Sequence, residues 1–103
     1  MLLMTKLKNQ LKEYDPGYAP VLHNIHINGR KRGCCGFVSN PANGRVVYVD
    51  TESSCYAPLS GKSLLRYARD TKDYRGGHNE FVPVGDTAEA IHKMLSAERA
   101  VCF

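Results

Sequence analysis

The chain has 103 residues, with 14 Lys plus Arg against 10 Asp plus Glu, for a formal net charge of +4. That length is near the commonest size of one domain, about 100–150 residues, so residues 1–103 are expected to share a single core. An apolar content of 43% is too high for a disordered chain. No uninterrupted apolar run exceeds four residues, as at 46–49, and a membrane helix needs roughly 20.

At the N-terminus, Lys6 and Lys8 interrupt the apolar stretch before it reaches the roughly 7–15 residues of a secretory signal. Near the C-terminus, Cys102 is second from last, not the fourth-from-last cysteine of a prenylation motif. A cytoplasmic protein with no lipid anchor and no membrane partner is expected. Cys34, Cys35, Cys55 and Cys102 are then expected as free thiols, because that compartment is reducing.

Residues 2–14 read as a helix, with Met4, Leu7, Leu11 and Tyr14 on one face. Asp15-Pro16-Gly17 ends it, since proline disfavours helix at the residue before it. Residues 21–27 alternate as a half-buried strand: Val21, His23, Ile25 and Ile27 share one face, Leu22, Asn24 and His26 the other. Asn28-Gly29 is a hairpin turn signal because both residues tolerate positive φ. A second strand follows at about 32–39. Its glycines, Gly33 and Gly36, suggest a bulge or a close contact, and its register against the first strand stays open. After a loop holding Asn43-Gly44, residues 45–51 form a third strand, completing an antiparallel meander.

Beyond the loop stopped by Pro58, Ser60 suits the N-cap of a helix from about 61 to 74, with Leu64, Tyr67, Ala68 and Thr71 on one face. Gly76-Gly77 stops that helix. Residues 80–84 read as a short extended segment, held to an edge by Pro83. Asp86 caps a last helix, 87–99, with Glu89 completing a capping box and Ala88, Ile91 and Met94 or Leu95 as its core stripe. The order α-β-β-β-α-(β)-α predicts a two-layer α+β domain, a three-stranded antiparallel meander covered by helices. The α-β-β-β-α part resembles the topology of a double-stranded-RNA-binding domain. Lys62 is the single lysine at the helix start where that module carries a cluster, and the helix at 87–99 is additional, so the likeness is one of topology alone.

Basic residues gather in two places. Arg30-Lys31-Arg32 sits at the tip of the first hairpin, and Lys62, Arg66 and Arg69 fall within roughly 80° of one another on the expected helix. A basic stripe beside a basic hairpin is the footprint of a phosphate-backbone binder. Arg66 with Asp70 and Arg69 with Asp73 are spaced as helix ion pairs, which offsets part of that charge. His23, His26, Cys34 and Cys35 invite a zinc reading. Residues three apart on a strand face opposite ways, and no Cys-x-x-Cys pair exists, so at most a mixed site of His23 with one cysteine survives. Asp50 and Glu52 with Lys62 lack the spacing of a metal-dependent nuclease. Cys55 with His78 or His92 is no more than a cysteine and a histidine in one chain.

These residues predict a small non-catalytic nucleic-acid-binding domain, RNA or DNA undetermined, that contacts the phosphate backbone through Arg30, Lys31, Arg32, Lys62, Arg66 and Arg69. No cofactor and no metal are expected. The alternative is a protein-binding module, an inhibitor or accessory protein of phage or plasmid type acting on a host protein or nucleoprotein complex. Its surface would be the Gly-rich loop with Tyr74, Arg75, His78 and Asn79, together with the tip of the first hairpin.

Overall fold

The structure is a computed structural model and describes residues 2–51, 61–68 and 79–96. Among these, helix α1 (Met4–Tyr14) precedes five strands, β1 (Ala19–Ile27), β2 (Arg30–Asn40), β3 (Arg45–Asp50), β4 (Lys62–Ala68) and β5 (Glu80–Pro83), and helix α2 (Thr87–Ser96) follows them. The strands pair in sequence order, β1-β2-β3-β4-β5, every neighbour antiparallel. The α+β class and the β1-β2-β3 meander are as expected from the sequence, and the meander continues through two further strands.

Opposed residues on neighbouring strands share a face, so the register divides the sheet cleanly. Leu22, Cys34, Val38, Val47, Val49 and Leu65 point to one side. They form one core with Leu7 and Leu11 of α1 and Ala88, Ile91, Met94 and Leu95 of α2. Both helices therefore cover the same face, and each presents the stripe its period of 3.6 residues predicts. Tyr14, expected on that stripe, is instead 46% exposed at the end of α1.

The segment expected as a helix at 61–74 is a strand over its described part, β4. Its residues, Lys62-Ser63-Leu64-Leu65-Arg66-Tyr67-Ala68, include good helix formers, but pairing on both sides overrides that preference. Ser63, Leu64 and Leu65 are all buried, so the strand lacks the in-out contrast that marks a half-buried one. The likeness to a double-stranded-RNA-binding domain falls with this helix. The N-cap Ser60 and the stop Gly76-Gly77 lie outside the described residues. β5 is the edge strand that Pro83 implies. The capping box is also replaced: a 3-10 turn, Val84–Asp86, leads into α2, and Glu89 pairs with Lys93 at 3.4 Å.

Polar side chains join the two layers. Asn24 of β1 accepts the Met4 N–H at 3.0 Å, doing for α1 what its N-cap Leu3 cannot. Asn40 and Asn43 donate to the Leu95 carbonyl at 3.1 and 2.8 Å, which fixes the end of α2 against the β2–β3 loop. Buried Thr51 accepts the Cys34 N–H and donates to the Leu2 carbonyl. The Thr87 hydroxyl donates to the Val84 carbonyl, so Ser63 donates to Thr87 at 2.7 Å. A buried hydroxyl without a partner costs about 1–3 kcal/mol, so these contacts set where each helix sits.

Two local features decide what each face carries. Asn28 (φ 54) and Gly29 (φ 75) make a two-residue turn that sets Arg30 opposite Ile27. Continued evenly, that register would place Cys34 opposite His23. A bulge between Ile25 and His26 intervenes and leaves Arg32 as the extra residue, so Cys35 faces His23 instead. The shift by one residue turns Cys34 and Val38 into the core, and Cys35 and Phe37 away from it. Gly36 is the close contact: at φ 147 it lies under β1, where an added Cβ would sit 2.2 Å from the Val21 carbonyl oxygen.

Candidate nucleic-acid interface

The β1–β2 hairpin runs past the end of β3, so Arg30, Lys31 and Arg32 project from the sheet, and all three are exposed. Lys62 is exposed at the start of β4. Cys35 stands opposite Asp50, and Asp50 opposite Leu64. Two residues back along each strand, Gly33 and Lys62 reach the same level, two strands apart, or about 10 Å. The hairpin cations and Lys62 therefore gather at one end of the sheet. Among the described residues none of the four forms an ion pair.

The predicted helical stripe does not exist, but a spacing of four keeps Lys62 and Arg66 on one face of a strand as well. That face points away from the helices. Arg66 differs from Lys62 in being half-buried and engaged in contacts of its own. Arg69 lies outside the described residues. So do Tyr74, Arg75 and His78 of the alternative partner surface, which leaves Asn79, exposed just before β5.

The face turned away from α1 and α2 has an open side and a closed side. Val46, Leu64 and Ala68, on β3 and β4, are buried there although they lie outside the core shared with the helices. Toward β1 the face opens: Val21 is 62% exposed, His23 is exposed, and Ile25, Cys35 and Phe37 are half-buried. Val21, Phe37, Tyr48 and Arg66 form one row across four strands. Within it the Phe37 and Tyr48 rings meet edge to face, centroids 5.3 Å apart. The sequence reading missed Val21, His23 and Phe37 as site residues. Gly33 was the signal, since the bulge at Arg32 beside it decides which apolar residues turn outward.

His23 and Cys35 are neighbours in the next row, with Nε2 and Sγ 3.1 Å apart. Of the two adjacent cysteines, the structure pairs His23 with Cys35 and sends Cys34 into the core. Burial pushes the Cys34 thiol up to about 11, with the neighbouring Thr51 hydroxyl opposing the shift and Cys35 and Asp50 adding to it. Burial, then Asp50, raises the Cys35 thiol too, which makes it a poor nucleophile at neutral pH. No group of three His, Cys, Asp or Glu among the described residues is placed to hold a metal. His92, considered as a base for Cys55, contacts the Tyr18 hydroxyl at 2.5 Å and stacks on Tyr14 at 4.7 Å; Cys55 lies outside the described residues.

The groove between α1 and α2 is lined by Gln10, Glu13, Tyr14, Gly85, Ala88 and Glu89, and its two carboxylates have the wrong sign for phosphate, while Lys6, Lys8 and Lys12 stand elsewhere on α1. No described helix is long and apolar enough to cross a membrane. Comparison with family models, with curated proteins and with solved structures found no match.

Proposed function

We propose that this chain is a small non-catalytic nucleic-acid-binding domain that holds the phosphate backbone at one end of its sheet, through Arg30, Lys31, Arg32 and Lys62. The observation that carries the reading is the gathering there of four exposed cations, none ion-paired among the described residues. Each phosphate such a cation neutralises releases condensed counterions, which drives binding and makes it salt-dependent. Arg32 owes its place to the bulge, a device that commonly re-aims a side chain at a site. Arg66 stands further along the same face and belongs to the proposed surface, while Arg69 lies outside the described residues.

The test is fluorescence anisotropy with RNA and DNA, single- and double-stranded, over a salt series. Replacing Arg30, Lys31 and Arg32 together by Gln is expected to reduce the slope of log K against log salt by about 2–3, one phosphate contact per residue. An unchanged slope would remove the hairpin from the interface. Absence of binding at low salt would reject the reading and favour the alternative, a protein-binding inhibitor or accessory module.

A further inference from the structure

We infer that the nucleic acid bound is single-stranded, and that its bases lie over β1 and β2 on the sheet face turned away from α1 and α2, beside the basic hairpin. The inference rests on the nucleic-acid reading above and adds the class of strand and the surface for its bases.

The open part of that face belongs to the same two strands that carry the cations at their turn. From Arg30 the hairpin runs back through Ile25, His23 and Val21 on β1 and Cys35 and Phe37 on β2, about 20 Å of continuous surface. Val21, the third residue of β1, is 62% exposed, where packing does not require an apolar residue. Phe37 stands opposite it, steadied from the other side by the edge contact with Tyr48. His23 adds an exposed ring in the adjacent row beside the half-buried Phe37. The burial of Val46, Leu64 and Ala68 limits the patch to the β1 side, so it merges with the hairpin and not with the far edge at β5.

Rings and apolar side chains next to cations that form no ion pair among the described residues suit one occupant best. A duplex turns its bases inward, and its grooves admit a helix or a two-stranded ribbon, not a broad sheet face. Laid on this surface, a duplex would set charged phosphates against Val21 and Phe37. A single strand can direct its phosphates to Arg30, Lys31, Arg32 and Lys62 while its unpaired bases stack on Phe37 and His23 and cover Val21.

The experiment compares an unstructured oligothymidine and oligouridine with a blunt duplex of equal length, by anisotropy at fixed salt. Single strands are expected to bind at least about tenfold tighter than the duplex. Phe37→Leu keeps an apolar side chain but removes the ring, and should cost about fivefold or more in single-strand affinity with no change in salt slope. Val21→Glu alters an exposed residue, so the fold survives, and should weaken the same binding by a similar factor. Equal or tighter duplex binding overturns the inference and leaves the basic hairpin in place as a backbone contact. Wild-type single-strand affinity in Val21→Glu overturns it too. No binding of any nucleic acid rejects the underlying reading, and the inference with it.

Discussion

The two faces of the sheet come from the same strands and differ by one position along each. Toward the helices stand Leu22, Val38, Val47 and Leu65, all buried. One residue away stand Val21, Phe37, Tyr48 and Arg66, ranging from half-buried to open. The residue types overlap, with valine on both sides, so hydrophobicity alone does not assign a role. The covering layer does. Two helices cover the apolar residues of the first face, leaving Tyr67 and Val82 half-buried against the core. On the second, burial accounts for Val46, Leu64 and Ala68 and leaves the β1–β2 patch without a structural reason.

The largest expected effect comes from breaking the feature that keeps the faces distinct. Gly36→Ala places a Cβ 2.2 Å from the backbone oxygen of Val21 at a φ of 147, where neither partner can yield without moving a strand. A loss of at least about 3 kcal/mol in urea unfolding is expected. A near-neutral result would mean that β1 and β2 can separate at little cost. Next, Leu65→Ala and Val21→Ala sharpen the contrast directly. Leu65 is fully buried and should cost about 2–5 kcal/mol, while Val21 should stay within about 0.5 kcal/mol. Comparable losses would show that the second face is covered like the first. The smallest effect is in the pH profile. The buried Cys34 thiol is pushed from 9.0 up to about 11, so the fold favours its neutral form. That contribution is intact below pH 9 and is lost as the pH rises toward 11. Thermal melts should show stability falling across that window, and Cys34→Val should flatten the fall.

Much of the fold was legible. α1, the first three strands, the edge position of Pro83 and the stripe of Ala88, Ile91 and Met94 or Leu95 followed from periodicity and turn chemistry, and both Met94 and Leu95 are buried. β4 was not. Leu64, Tyr67 and Ala68 fall at spacings that suit a helix, and burial of Ser63, Leu64 and Leu65 together removes the alternation that would betray a strand. At the site, Arg30, Lys31, Arg32 and Lys62 were legible as charge. Their neighbours were not, because which of Cys34 or Cys35 and which of Phe37 or Val38 turns outward depends on a single extra residue at Arg32. Turn chemistry at Asn28-Gly29 would by itself have predicted the opposite face.

The most direct test of the account is an NMR titration of backbone amides with an unstructured single-stranded oligonucleotide. The account predicts shifts concentrated at Arg30, Lys31, Arg32 and Lys62 and at Val21, His23, Cys35 and Phe37, with α1 and α2 unmoved. Shifts concentrated in the groove between α1 and α2, or none at saturating oligonucleotide and low salt, would contradict it.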